Sequence, residues 1–181
     1  DLLVRESQGR LLLSTSGVAS PWLPLAAALA MADALRAVAR VPAEVAWPSA
    51  VTIQGAACGG AAGARRTAEA VADGGRVEVS LALRVPMLES APGWTSVLSE
   101  GGDADADAIV AAFGTAFARR SKQLADDPAS LASDYRAACV TVGRRVDVDG
   151  AAGIVAGVDA DARLVVDVDG TPQVWHGSAP V

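Results

Sequence analysis

The feature that most constrains the fold is a strict alternation of apolar and other residues over 76–85, where every second residue is Val or Leu. This period of two predicts a strand with one buried face. Residues 21–40 carry a helical pattern instead, because apolar residues recur there at spacings of three and four: Leu25, Leu29, Ala32, Leu35 and Val38. A half-buried strand and an apolar helix that need a common core predict an α+β fold, with helices packed on a mixed β-sheet.

Shorter patterns predict the remaining elements of this sheet. Leu- and Val-rich or very small residues predict strands at residues 1–4, 10–14, 41–47, 51–54 and 59–63. Pro48-Ser49 is the predicted turn of a hairpin. Two further helices are predicted at 103–124 and from Asp127-Pro128 to 138, and Ser20-Pro21 is the expected start of the first helix.

The C-terminal part of the chain differs in pattern. From residue 144 onward, short Val-rich stretches alternate with Asp-Gly and Gly-Thr-Pro turns. Such spacing predicts a small antiparallel barrel or meander. We therefore predict two domains, 1–142 and 143–181, with the boundary near Val142-Gly143.

Composition excludes several classes of function. The net charge is −6 and Lys122 is the single lysine, which argues against a nucleic-acid surface. The longest apolar run is too short to span a membrane. Cys58 and Cys139 do not form a disulfide framework, and no basic leader with an apolar stretch opens the chain, so the cytoplasm is the predicted location.

Single reactive residues give weak signals. His176, the only histidine, has no nucleophile motif nearby and is expected to be a surface or packing residue. Cys58 lies among small residues without a neighbouring Lys or His, which favours a buried structural role. The Asp-rich runs at 159–161 and 167–170 lack calcium-loop spacing and are expected to be turns, so no metal site is predicted. For Trp47 and Trp94, a position in the hydrophobic core is expected more than a position facing a ligand.

One segment, 47–60, resembles the centre of the biotin protein ligases. The family pattern is Lys-Trp-Pro-Asn-Asp, three spacer residues and Asp-Gly, then Arg-Lys-Leu-Ala-Gly. This chain keeps Trp47-Pro48, the spacer length, Gly55 and Gly60. Where the family has Lys, Asn, Asp and Lys, this chain has Ala46, Ser49, Ala50 and Ala57.

The resemblance extends in order over residues 9–175. It includes Trp22-Leu23-Pro24-Leu25 before an Ala-rich helix, the strand at 77–85, the stretch 94–98, and the junction at 134–146 into the family's SH3-like C-terminal barrel. The family's Gly-Arg-Gly-Arg-Gly loop, which wraps biotin and the adenylate phosphate, would fall at Gln8–Gly9. Either this chain lacks the loop, or the sequence omits it.

The resemblance implies ATP-dependent attachment of biotin to a carrier-protein lysine through biotinyl-AMP, with Mg²⁺ and a biotin carboxyl carrier domain as partner. It implies a ligand site at Trp47, Pro48, Ser49, Gly55, Gly59, Gly60 and Arg84, with Ala57 at the lysine position. Arg65, Arg66 and Arg84 are the candidate replacement cations. Two hypotheses stay open: a biotin protein ligase or relative that uses ATP and biotin, or an impaired, catalytically inactive relative that binds a small carboxylic acid or a carrier protein without activating it. An unrelated interaction function on this scaffold is a third.

Overall fold

A computed structural model describes residues 2–7, 10–66, 76–85, 92–148 and 151–175. Helix α1 spans Leu23–Ala34 and continues as a π-helical turn over Leu35–Ala39; α2 spans Ala106–Asp126 and α3 spans Pro128–Ala138. The strands are β1 (Leu3–Ser7), β2 (Arg10–Val18), β3 (Ala43–Ala46), β4 (Ala50–Ile53), β5 (Ala56–Arg66), β6 (Arg76–Arg84), β7 (Arg145–Val148), β8 (Ala151–Val158), β9 (Leu164–Val168) and β10 (Thr171–Val174).

The first six strands form one sheet in the order β1-β2-β6-β5-β4-β3. Neighbouring strands in it pair antiparallel. Two isolated parallel bridges, Val45 with Cys139 and Ala57 with Trp94, make the sheet mixed. The strand predicted from the period-two pattern is β6, near the middle of this sheet, and the predicted hairpin at Pro48-Ser49 joins β3 to β4.

The alternation in β2 and β6 divides the sheet into two faces. Leu11, Leu13, Val79, Leu81 and Leu83 are buried, whereas the residues between them belong to the opposite face because side chains alternate along a strand. The buried face packs against α1, and α2 and α3 pack on α1. Helix α1 is therefore covered on several sides, and its alanines at 26–28 are almost wholly buried. This agrees with the sheet-and-helix architecture predicted from sequence.

The start of α1 differs from the prediction. Trp22 is the N-cap, and Pro24 occupies the first turn, so Pro21 lies outside the helix. The Ser20 hydroxyl accepts a hydrogen bond from the Trp22 N–H at 3.2 Å and the Ser20 carbonyl accepts one from Leu23 at 3.1 Å. Ser20 thus closes a turn before the helix. The predicted cap of α3 is confirmed, since the Asp127 carboxylate accepts from Ser130 N–H.

The C-terminal strands form a second antiparallel sheet in the order β10-β9-β8-β7. The predicted β-rich segment is present, but the described residues form an open sheet and not a closed SH3-like barrel. Closure requires the two edge strands to pair, and here β7 and β10, each of four residues, lie at opposite edges. The division into domains at residue 142 stays a prediction.

The turn between β8 and β9 contacts the first part of the chain. The indole N–H of Trp22 donates to the Ala160 carbonyl at 2.9 Å, and that of Trp47 donates to the Ala162 carbonyl at 3.1 Å. Arg136 on α3 donates to the Val158 carbonyl at 3.1 Å. These bonds fix the second sheet against the helices. Within the described ranges, no helix has the length and apolar character needed to cross a membrane.

Candidate functional site

The open face of the large sheet carries a pocket of about 350 Å³. Its lining comes from β2, β5, β6 and the segment after residue 92: Arg10, Cys58, Gly59, Gly60, Ala61, Ala82, Leu83, Arg84 and Trp94. Three residues predicted for the ligand site, Gly59, Gly60 and Arg84, therefore lie together. The pocket has the volume of a small-molecule site, and its walls are largely apolar with a few charged groups, as such sites commonly have.

Two arginines define the charge of this pocket. Arg10 on β2 and Arg84 on β6 are paired directly across the sheet. Like charges at directly opposed positions destabilise a sheet. In the part of the chain that the structure describes, no carboxylate forms an ion pair with either guanidinium. An anion between Arg10 and Arg84 would offset their repulsion, so the pocket is suited to a negatively charged group.

Trp94 forms one wall of the pocket. The Arg84 guanidinium lies over its ring, 4.5 Å from the centroid, in cation–π geometry. The side chain is 43% exposed, so the expectation that Trp94 belongs to the core was wrong. It reaches the pocket because Ala57 N–H donates to the Gly93 carbonyl at 2.9 Å and Thr95 N–H donates to the Ala57 carbonyl at 2.8 Å. Ala57 thus anchors this wall through its backbone.

Glycine keeps the pocket floor open. A Cβ on Gly59 would lie 2.4 Å from the backbone oxygen of Ala82, which no real side chain tolerates. A Cβ on Gly60 would lie 3.1 Å from the Ser49 carbonyl oxygen. The pocket therefore requires a close approach of β5 to β6 and β4, and the run of very small residues supplies it.

Solved structures with the same architecture identify the scaffold. Biotin protein ligase from Aquifex aeolicus superposes with a TM-score of 0.82 at 16% identity, covering 98% of this chain and 86% of the ligase. The chain has the biotin protein ligase fold. A biotin protein ligase-like protein of unknown function from Silicibacter sp. TM1040 has a TM-score of 0.77 at 17% identity, over 96% of this chain and 81% of its own. The Aquifex ligase in complex with biotin and ATP has a TM-score of 0.75 at 14% identity, over 93% and 76%.

No protein-family model matches this sequence, and no curated protein matches it. The likeness is therefore carried by the course of the chain and not by overall sequence identity. It confirms the resemblance inferred from the Trp-Pro segment at the level of fold.

On this biotin ligase fold, the remaining predicted residues of the Trp-Pro segment lie outside the pocket lining. The Trp47 N–H donates to the Thr141 hydroxyl at 3.0 Å, and the Tyr135 hydroxyl donates to the Pro48 carbonyl at 3.0 Å. These contacts attach the hairpin to α3 and the chain after it. Gly55, with a φ of 83°, forms the β4–β5 turn.

Ser49 supports the pocket from the neighbouring strand. Its hydroxyl donates to the Ala61 carbonyl at 2.8 Å, and its own carbonyl accepts from the Ala61 N–H at 2.9 Å. This pair of bonds fixes β5 next to Gly60. At position 49, where the biotin ligase resemblance predicts Asn, the serine therefore positions the backbone of a pocket strand.

The lysine position of the biotin ligase motif carries no charge in this chain. Ala57 is half-buried and contributes only its backbone contacts to the segment 93–95. Ala50, at the motif Asp position, is the strand residue paired with Gly60. Arg10 and Arg84 are thus the two cations that line this pocket.

Cys58 also lines the pocket, but its chemistry is suppressed. The side chain is fully buried, and the thiol donates to the Val51 carbonyl at 3.4 Å. Burial raises the pKa of the thiol from 9.0 to about 12, and the negative charge of Glu100 adds to this, while a backbone hydrogen bond opposes it. At neutral pH the thiol keeps its proton, which agrees with the structural role predicted for Cys58.

The other candidates lie away from the pocket or outside the described residues. Arg65 and Arg66 pair with Glu78 and Val77 at the far end of β5, roughly 15 Å along the strand from Gly60, and their side chains lie outside the description. His176 and the Gln8–Gly9 junction also lie outside it. Ser7 and Arg10 are paired in register, so only residues 8 and 9 connect β1 to β2.

The Asp-rich runs form turns, as expected. Asp159 accepts hydrogen bonds from the N–H groups of Asp161 and Arg163 at 2.9 Å each, and Asp167 accepts one from Gly170 at 2.7 Å. Both carboxylates thereby satisfy backbone donors of their own loops.

Sequence reasoning missed Arg10 as a site residue. Its proximity to Arg84 depends on the register between β2 and β6, which are separated along the chain by α1 and three strands. The sequence did carry one signal for it. In the alternating patterns of both strands, each arginine falls on the face opposite to the buried leucines.

Proposed function

We propose that this protein binds a small carboxylic acid of the biotin class in the Arg10–Arg84 pocket, and that its ability to activate the acid with ATP is impaired. The observation that carries the proposal is the directly opposed arginine pair, which has no carboxylate partner among the described residues and which borders an apolar wall at Trp94. We choose biotin as the acid because of the fold, since solved ligases of similar fold contain bound biotin.

The binding step follows from the two kinds of surface in the pocket. A carboxylate between Arg10 and Arg84 receives charge-assisted hydrogen bonds, each contributing about 1.5–3 kcal/mol when shielded from water. The apolar body of the acid contacts Trp94, Leu83 and the glycine floor. Because Arg10 is exposed and Arg84 is only half-buried, water screens these contacts and the lower end of that range applies here.

Activation makes a further demand that this pocket does not meet. A carboxylate oxygen must attack the α-phosphorus of ATP, forming the acyl adenylate while the bond to pyrophosphate breaks. The approach of two anions requires cations placed between them. Ala57 and Ala50 supply none, and both pocket arginines are needed to hold the acid. Loss of a single charged donor of this kind typically lowers the rate about 10²–10³-fold.

The described residues fit ATP and Mg²⁺ less well than they fit a carboxylic acid. The described ranges contain no group of three or more His, Cys, Asp or Glu side chains that could hold a metal ion, so these residues offer no protein site for Mg²⁺. ATP phosphates would have to share Arg10 and Arg84 with the acid. The nucleotide thus fits this pocket less well than the acid does.

The second candidate is an active ligase that transfers biotin to the lysine of a biotin carboxyl carrier domain. The fold favours it, because the Aquifex enzyme of the same architecture is a biotin protein ligase whose complex contains biotin and ATP. In this case Arg10 and Arg84 would replace the missing lysine as phosphate-contacting cations. The carrier partner and the cytoplasmic location are parts of this proposal.

Calorimetric titration of biotin and a pyrophosphate-release assay with biotin and ATP separate the two candidates. We expect biotin to bind the intact protein without pyrophosphate release. Arg84→Gln and Arg10→Gln should each weaken binding about tenfold, which corresponds to the loss of one charge-assisted contact. Lys122→Gln, which removes an exposed positive charge on α2, is the matched control and should leave the affinity unchanged.

Three other outcomes would change this proposal. Pyrophosphate release that depends on Arg84 would establish the active ligase. Biotin binding that Arg84→Gln and Arg10→Gln leave unchanged would place the acid elsewhere and overturn the proposed site. Absence of biotin binding would overturn biotin as the acid.

A further inference from the structure

A second and larger cavity of about 670 Å³ lies where the helices meet the second sheet. It is bounded by the end of β2, the start of α1, the facing ends of α2 and α3, and the β8–β9 turn. Its lining includes Trp22, Leu23, Ser121, Leu124, Ala129 and Arg136. The two cavities share no lining residue, so this one is separate from the Arg10–Arg84 pocket.

The walls of the second cavity are mainly aliphatic and aromatic. Trp22, Leu23 and Ala132 are buried at its base, while Leu124 and Ala129 line it from α2 and α3. The volume lies within the range of about 300–1,000 Å³ typical of small-molecule sites. A ligand that fills it must therefore present a largely hydrocarbon body.

Two side chains at this cavity, Ser121 and Arg136, have donor groups available to a ligand. The Ser121 hydroxyl is buried and has no hydrogen-bond partner among the described residues, although buried polar groups nearly always have one. The Arg136 guanidinium donates to the Val158 carbonyl and has further N–H groups available. These donors favour a ligand that accepts hydrogen bonds and carries negative charge.

The carboxylate at the cavity is already engaged. Asp159 accepts hydrogen bonds from two backbone N–H groups and from the Arg163 side chain at 2.8 Å. Arg163 also pairs with Asp161, so Asp159 is engaged within its own turn. Arg136 is the cation among the described lining residues. A cationic ligand would find no free carboxylate among the described lining residues.

We propose that this second cavity binds a monocarboxylate with a hydrocarbon body, with the carboxylate at Arg136 and the hydrocarbon between α2, α3 and Trp22. This inference goes beyond the proposed function, because it concerns a different pocket and a different ligand class. A ligand there touches both the helices and the turn at Ala160, to which Trp22 is hydrogen-bonded. Binding therefore strengthens the contact between the two sheets.

The indole N–H signals of a ¹⁵N-labelled protein report on each pocket separately. Trp22 lines the second cavity, and Trp94 lines the Arg10–Arg84 pocket. Titration with octanoate should shift the Trp22 indole signal saturably, and to the same extent in Arg84→Gln, because this signal does not depend on the Arg10–Arg84 pocket. Hexanoate should bind more weakly, because each additional buried CH₂ strengthens binding about fourfold. Octyltrimethylammonium, with a similar chain and opposite charge, should not shift the Trp22 signal.

Three substitutions test the position of the ligand. Arg136→Gln should weaken octanoate binding about fivefold to tenfold, through loss of the charge-assisted contact. Ala129→Phe, at an exposed position on the cavity wall, should abolish binding by filling the space. Lys122→Gln, on α2 beside Ser121, removes a positive charge outside the lining and is the matched control.

Two results would overturn the proposal: octanoate failing to shift the Trp22 signal, or shifting it equally in the protein and in Ala129→Phe. The test is independent of the first pocket, since Arg84→Gln should leave octanoate binding intact. Failure of biotin binding with retained octanoate binding would count against the proposed function alone.

Discussion

Ala57 and Cys58 are adjacent in β5, yet their side chains meet different surroundings. Ala57 is half-buried beside the wall at Trp94, whereas Cys58 is wholly buried against β4. A lysine is missing at the first position, and a thiolate is disfavoured at the second. The pocket therefore depends on Arg10 and Arg84 for all of its strong polar chemistry.

Cys58 makes the stability of the protein decrease at alkaline pH. Its pKa is raised by burial from 9.0 to about 12 in the folded protein. Above pH 9 the unfolded chain loses the thiol proton while the folded chain keeps it, so this residue stabilises fully below pH 9 and less as pH rises to 12. We expect the free energy of unfolding to fall by up to about 1.4 kcal/mol per pH unit from this group.

Urea denaturation at pH 8 and pH 10, with Cys58→Ala as the reference, measures this contribution. The raised pKa of Tyr135, which is also caused mainly by burial, acts in the same direction in both proteins and cancels in the comparison. A thiol reagent should also leave Cys58 unmodified at pH 8 in the folded protein. An equal loss of stability in Cys58→Ala would refute the assignment.

Among the elements, α1 and β5 achieve close packing by the same means. Both consist largely of Ala or Gly, so each can approach its neighbours closely: α1 is covered by the sheet and by α2, and β5 lies between β4 and β6. Close packing of this kind leaves little room for larger side chains. The pocket floor is one consequence.

Gly59 and Gly114 form a matched pair for testing this requirement. Gly59→Ala places a Cβ 2.4 Å from the Ala82 backbone oxygen, and the strands must separate, so we expect a loss of about 2–4 kcal/mol and of biotin binding. Gly114→Ala in α2 meets only the Leu2 side chain, at 3.8 Å, and should stabilise by about 0.5–1 kcal/mol because alanine favours the helix. Thermal unfolding of both variants checks this; equal effects would contradict the close approach at Gly59.

At the scale of the whole molecule, the two sheets are joined by tryptophan. Trp22 precedes α1 and Trp47 follows β3, and both indoles donate to carbonyls of the turn between β8 and β9. Trp22 also packs edge-to-face on Tyr135, with ring centroids 5.9 Å apart. The Trp-Pro hairpin thus attaches the second sheet to the rest of this structure.

Replacement of either indole should loosen the second sheet selectively. Trp22→Phe and Trp47→Phe each leave a carbonyl without its donor, at a cost of about 1–2 kcal/mol. Hydrogen exchange should accelerate in β8 and β9 and stay slow in β2 and β6. Trp94→Phe, which lacks such a bond among the described contacts, is the control. Uniform acceleration in both sheets would show instead that they unfold as one unit.

Local patterns were sufficient to predict much of this architecture. The period-two alternation of 76–85 requires a half-buried strand wherever it lies in a sheet, and the spacing of Leu25 and Leu29 requires an apolar helix face. The order of motifs around Trp47-Pro48 led to the biotin ligase fold. The start of α1 was misplaced, because Ser20 bonds to the N–H groups that follow it without itself entering the helical cap position.

The sequence by itself therefore determined the elements, their order and the absence of charge at Ala57 and Ala50, since these depend on residue type and local spacing. Only the tertiary structure decided which cations share a site. Arg10 and Arg84 lie side by side because of the strand register. Arg136 and Ser121 line one cavity because of how α2, α3 and the β8–β9 turn pack. Residues that are distant in the chain become neighbours when strands and helices pack around a common core. No local sequence pattern specifies which elements pack together.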